Sequence, residues 1–232
     1  MIVDTMTLME ACNYVFKTSK GRMPKIVHEV KSRMNGYKKA ITKKDGMCVF
    51  APIDVSTSNI EIYASCFVKS KTHFKNEGVM AVLHGKFIHQ RKTYYYVVMG
   101  DMITMEIYTK HFVERYMERH LGIEPTGTEV DIKYFHKYLI DTNGGRLLTS
   151  RRPTEKYKHG IYGASEIGVN CGSVLEDSVA VWSTYIDNST IEKGMKAEAV
   201  GVFANSYHEP IVVKDECGNS TFLPNYLASM FG

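Results

Sequence analysis

The segment YTKHFVERYMERHLG, residues 108–122, sets His111, Arg115 and Arg119 at four-residue intervals. On an α-helix turning 100° per residue, these positions fall within about 80° of one another and form one stripe. Phe112, Val113, Tyr116, Met117 and Leu121 occupy the adjoining side, where they would hold such a helix against a sheet. Imidazole exchanges a proton near neutral pH, and guanidinium presents a planar fork that suits phosphate. Cleaving RNA without a metal takes a base for the 2′-hydroxyl, an acid for the leaving oxygen and fixed cations for the phosphorane charge. His111 and Arg115 supply two of these three roles. The same stripe also fits a solvated face on which the arginines pair with Glu114 and Glu118, at about 0 to 1 kcal/mol per pair.

The missing group must come from another element, and two stretches offer one. KYKHGIYG places His159 beside Lys156 and Lys158, with tyrosines that would stack on a base. WSTYI ends a strand-like run with Thr184 next to Tyr185, a hydroxyl and a phenol able to orient a phosphate. Both follow the helix in the chain, so the candidate catalytic set is His111, Arg115, Arg119, His159, Thr184 and Tyr185.

The run from Tyr108 to Ile123 resembles the T-x-H-x-x-x-R-x-x-x-R-x-G-I helix of small toxin-like modules in the barnase, EndoU, colicin and RelE superfamily of metal-independent RNases. The resemblance covers about residues 108–123. It implies helices packed on an antiparallel sheet, with His111, Arg115 and Arg119 as helix-borne site residues and partners on later strands. The chain departs from the pattern at two points: His120 and Leu121 separate Arg119 from Gly122 where the pattern has one residue, and some 45 residues precede the sheet.

Other chemistries leave no mark. His84 and His89 have an odd separation, which sends them to opposite faces of an uninterrupted strand, and no H-E-x-x-H or Cys/His quartet is present. The five cysteines, Cys12, Cys48, Cys66, Cys171 and Cys217, never form C-x-x-C, so they read as scattered thiols. The chain has no phosphate-loop or dinucleotide glycine signature and no G-x-S-x-G elbow. No cofactor and no metal are expected.

The elements that would position these residues follow from hydrophobic period. Leu8, Met9, Cys12, Val15 and Phe16 predict a helix within residues 5–17, and Met23, Ile26, Val27, Val30, Met34 and Tyr37 predict a second, with Pro24 in its first turn. The second helix carries Lys25, Lys31, Arg33, Lys38 and Lys39 on its other side, either a solvated face or a phosphate-facing patch. From about residue 46 the period shortens to two. IEIYASCFV, GVMAVLHGKFIH, TYYYVVM and MITMEIY predict an antiparallel meander, with Gly100 and Asp101 in a tight turn, that runs directly into the His111 helix. PTGTEVDIKYFHKYLI predicts a helix capped at Thr126 or Thr128; HGIYGASEIGVN and VAVWSTYI predict a β-hairpin or two strands joined by CGSVLEDS; NSTIEKGMKAEAVGVF predicts a helix capped at Asn188 or Ser189, and the tail GNSTFLPNYLASMFG a short terminal helix or packed extension.

The expected fold is therefore α+β: a helical leader over residues 1–45, then an antiparallel sheet with packed helices over 46–232 as one body. With 44% hydrophobic and 23% charged residues, no apolar run long enough to cross a bilayer and no signal-peptide pattern, a cytoplasmic protein with no membrane partner is expected. A net charge of +4 permits contact with a phosphate backbone. The functional expectation is an RNA-binding protein cleaving RNA without metal; the alternative is a non-enzymatic interaction or structural accessory protein of a phage or mobile element, binding RNA or a protein partner.

Overall fold

The first helix, α1 (Leu8–Gly21), starts at a reciprocal cap: the Glu10 amide donates to the Thr7 hydroxyl (3.2 Å), and the Thr7 amide donates to the Glu10 carboxylate (2.7 Å). After Arg22 the chain re-enters a helix at once, α2 (Met23–Lys43), which buries Ile26, Tyr37 and Ile41 and leaves Val27 43% exposed at the edge of the predicted stripe. In this computed structural model the described residues are 2–43, 46–98, 105–126, 130–142, 148–151, 160–165, 167–175, 179–187, 212–214 and 220–222. The chain divides into two compact units, Met1–Asn188 and Ser189–Gly232.

The first unit is built on a ten-stranded sheet. Its strands are β1 (Cys48–Val49), β2 (Ile53–Asp54), β3 (Glu61–Val68), β4 (Met80–His89), β5 (Lys92–Val98), β6 (Met105–Thr109), β7 (Leu148–Arg151), β8 (Gly160–Ala164), β9 (Gly168–Leu175) and β10 (Val179–Asp187). The spatial order is β1-β3-β4-β5-β6-β10-β9-β8-β7, with β2 also on β3. Every pairing is antiparallel except β6 with β10, where Ile107 faces Val181. A parallel pair needs a long crossover. Here the connection carries α4 (Lys110–Tyr116), a π-helical turn (Met117–Leu121), α5 (Ile132–Asp141) and three further strands. The predicted α+β class, with leading helices and then the sheet, is observed.

Strand alternation places two cores on opposite faces. Along β5, Tyr94, Tyr96 and Val98 join the core beneath α1 and α2, whereas Tyr95 and Val97 join the core beneath α4 and α5. The Tyr96 hydroxyl donates to the Glu61 carbonyl (3.2 Å) and lies 3.0 Å from Ser19 Oγ, tying α1 to the sheet. Glycine is required opposite: a Cβ on Gly85 would stand 1.8 Å from the same carbonyl oxygen.

Several predictions from period need correction. The helix expected from Thr126 or Thr128 begins at Ile132, because Asp131 is the cap, its carboxylate accepting from the Lys133 amide (2.9 Å). HGIYGASEIGVN is two strands, β8 and β9, since Ser165 turns the chain by donating to the Gly168 carbonyl (3.0 Å). A short helix, α3 (Lys71–Glu77), capped by Ser70, follows β3 where none was expected. In the second unit β11 (Val212–Lys214) pairs antiparallel with β12 (Ser220–Phe222), so residues 220–222 of the tail, expected as a terminal helix or a packed extension, are strand. The predicted 100–101 turn and the body of the 188–203 helix lie outside the described residues.

Candidate functional site

Thr109 ends β6 and caps α4, its hydroxyl accepting from the Phe112 amide (3.2 Å), so the strand passes into the helix as predicted. Phe112, Val113 and Tyr116 are buried against the sheet. This leaves His111 outward, with its side chain 56% exposed. Arg115 Nε approaches His111 Nε2 at 3.5 Å, while its guanidinium pairs with Glu118 at 2.5 Å. Glu114 stands 3.9 Å from His111 Nδ1 and pairs more closely with Lys110, at 3.0 Å. His111 and Arg115 are thus brought together on an exposed face that also carries carboxylates.

Arg119 does not join them. From Met117 the helix widens into a π turn, closed by Gly122 in the left-handed region at φ 66°. The wider turn shifts residues 117–121 around the axis relative to an α-helix. Arg119 accordingly reaches the Tyr185 carbonyl oxygen on β10 (2.6 Å), a tether between helix and strand. Tyr185 itself is fully buried, its hydroxyl donating to the Ile167 carbonyl (2.6 Å). A β-bulge puts it there: the register slips between Trp182 and Thr184, so Tyr185 shares the face of Trp182, and Thr184 turns to the other side. His159 lies outside the described residues.

The π turn brings His120 into a polar cluster that period alone did not single out. His120 Nδ1 is 3.1 Å from Asp187 at the end of β10, and Nε2 is 3.7 Å from Asp141 at the end of α5. Tyr116 stacks on the imidazole (ring centroids 5.3 Å apart) and donates to Asp141 at 2.6 Å; Lys137 pairs with the other Asp141 oxygen. Both carboxylates come from distant elements, so no local motif announces the group.

A second unannounced cluster joins α5 to β3 and β4. Ser65 Oγ lies 2.6 Å from His84 Nε2 and 2.8 Å from His136 Nε2. One hydroxyl proton serves one imidazole, and the other imidazole must donate to the hydroxyl oxygen. His84 is fully buried, which pushes its pKa down to about 3, with neighbouring His136 adding to the effect; burial also lowers His136. The remaining His84 nitrogen, Nδ1, is buried with no hydrogen-bond partner among the described residues. Deeper still, the Tyr108 hydroxyl (2.7 Å) and Trp182 Nε1 (3.0 Å) both donate to Glu106, whose carboxyl is held above the usual range by burial.

Among the described residues, a strongly charged surface lies elsewhere, on α1 and α2. Residues 17–43 hold nine lysines and arginines against one acid, Glu29, a net +8 in a chain whose total is +4. The remainder of the chain therefore carries −4. Lys17, Lys20, Lys25, Lys31, Arg33, Lys38, Lys39 and Lys43 are all exposed. Among the described residues, the ion pair made by this segment is Arg33 with Glu29, at 3.4 Å between exposed side chains. The predicted basic face of α2 is present, and Lys17 and Lys20 near the end of α1 are exposed as well.

Among the described residues, no three His, Cys, Asp or Glu side chains converge as a metal ion would require, and no helix is long and apolar enough to cross a membrane. No protein-family model, curated protein or solved structure matches the chain.

Proposed function

We propose that this chain binds RNA, with the α1–α2 layer holding the phosphate backbone. The observation that carries the reading is the concentration of charge: +8 over residues 17–43, exposed on a helical pair, in a chain whose other residues sum to −4. Such asymmetry has a self-repulsion cost unless an anion is bound, and a polyanion releases counterions when these cations replace them. Substituting glutamine for Lys25, Lys31, Lys38 and Lys39 leaves the buried stripe of α2 intact, so the helix should still dock. Fluorescence anisotropy with labelled RNA at fixed salt should show a loss of about tenfold or more; unchanged affinity rules the reading out.

A finer reading adds metal-independent cleavage at α4. What favours it is the approach of Arg115 to His111, a proton-exchanging ring beside a phosphate-binding fork on exposed helix surface. The π turn withdraws Arg119 from the stripe and the core holds Tyr185, so the acid for the leaving group would have to come from another residue. RNA turnover with chelator present, lost in both His111→Ala and Arg115→Ala, is the outcome this reading needs. Binding without turnover leaves the alternative of a non-enzymatic accessory protein.

A further inference from the structure

We infer that the partner of the α2 face is double-helical RNA, held through its backbone and shallow groove with no reading of bases. This rests on the RNA-binding reading above and specifies the form of the RNA. α2 is 21 residues long, about 32 Å of rigid helix. Its exposed positions carry no Phe, Tyr or Trp, and their one ring is the imidazole of His28; Tyr37 is turned inward, 6% exposed and stacked on Phe50 at 4.1 Å between ring centroids. Proteins that hold single strands supply aromatic rings on which unpaired bases stack. From Lys31 to Lys43 the exposed positions of α2 carry only cations and small polar groups, which match a fixed array of phosphates.

The middle of the exposed face is low. Ser32, Asn35 and Gly36 lie within about 100° of one another at the crest, with Lys31 and Lys38 on one flank and Arg33 on the other. A mid-helix glycine costs about 0.5 to 1 kcal/mol relative to alanine. At Gly36 nothing among the described residues accounts for it, because a Cβ there would meet no described atom within 4 Å. Absence of a side chain at an open crest lets another backbone come close. The minor groove of an A-form duplex is wide and shallow and displays 2′-hydroxyls, which accept from an amide and donate to a hydroxyl oxygen. Asn35 and Ser32 provide these groups, while the flanking cations reach the phosphates on either side. Ser32 Oγ already donates to the Glu29 carbonyl (2.8 Å), which leaves its lone pairs facing outward. The exposed Glu29–Arg33 pair is weak enough for a phosphate to displace the carboxylate.

The test is anisotropy of the full chain with duplex RNA, duplex DNA of the same sequence and single-stranded RNA of equal length, repeated with Gly36→Leu. Leucine has the higher helix propensity, so thermal stability should hold or rise in this variant. Duplex RNA is expected to bind about tenfold or more tighter than the single strand. Gly36→Leu should weaken the duplex about tenfold and leave the single strand unchanged. Preference for the single strand, with the same dependence on Lys31 and Lys38, overturns the duplex inference while the RNA-binding reading stands. Equal affinity for duplex DNA overturns the assignment to RNA. If none of the three nucleic acids binds, the underlying reading fails as well.

Discussion

The two faces of the central sheet are filled by different chemistry. Beneath α1 and α2 the core is mainly aliphatic, with Ile26, Ile41, Ile53, Ile60, Ile62 and Ile107 among its buried members. Beneath α4 and α5 it is aromatic, built on Tyr95, Tyr108, Phe112, Tyr116, Phe135, Tyr138, Trp182 and Tyr185. Aliphatic packing is non-directional and tolerates repacking. Phenols and indoles bring polar atoms that must each find a partner when buried. Asn170 donates to the Tyr138 hydroxyl (2.6 Å), Tyr95 donates to the Val130 carbonyl (2.7 Å) and Tyr185 to that of Ile167. Each bond fixes one element against another. The aliphatic side thus carries a charged outer surface whose residues can vary without disturbing the core, while the aromatic side is locked by specific bonds.

Acid should separate the two faces most strongly. His84 belongs to the aromatic side, and burial holds its pKa near 3 in the folded protein. An unfolded chain protonates the same ring at about 6.5. Below that pH the unfolded state binds the extra proton, so stability is fully present above about 6.5 and falls as pH drops toward 3. Over the whole window the loss is roughly 5 kcal/mol, of which about 2 kcal/mol falls between pH 6.5 and 5. His136, lowered in the same direction, adds to it. Denaturant unfolding of the wild type and His84→Phe across that interval should give a flatter dependence for the variant. Parallel curves would remove His84 from the explanation.

Truncation ranks next. Trp182→Ala removes the largest fully buried ring together with one of the donors to Glu106, and should cost about 3 to 5 kcal/mol in urea titrations. The smallest effect compares single-group deletions on the two sides. Tyr138→Phe strands the Asn170 donor and should cost about 1 to 3 kcal/mol, whereas Ile62→Val on the aliphatic side should cost about 0.5 to 1.5 kcal/mol. Equal costs would mean that the hydroxyl network adds nothing beyond packing.

What was legible in the sequence follows the same division. The α1 and α2 stripes, the strands β3 to β6 and the passage from β6 into α4 all rest on local period, and local period is visible in one chain. The features that were not visible depend on distant partners. His120 meets Asp141 and Asp187 only after α5 and β10 have packed, and the parallel β6–β10 pairing spans the intervening elements. The π turn at Met117 and the bulge at Ser183 each shift phase by a fraction of a turn or a single residue, enough to move Arg119 and Tyr185 to other surroundings. Helix α3 is seven residues with no apolar repeat, betrayed only by its Ser70 cap. His111 and Arg115 share a face because both precede the π turn.

The most direct test of RNA binding by the α1–α2 layer is the salt dependence of affinity in the wild type and in a variant with Lys25, Lys31, Lys38 and Lys39 replaced by glutamine. Each phosphate contact contributes about 0.7 to 0.9 to the slope of log affinity against log salt. The expected result is a steep slope for the wild type that becomes shallower by about 3 in the variant, with both proteins melting at the same temperature. Equal slopes and equal affinities in two equally folded proteins would contradict the assignment of these helices to the phosphate backbone.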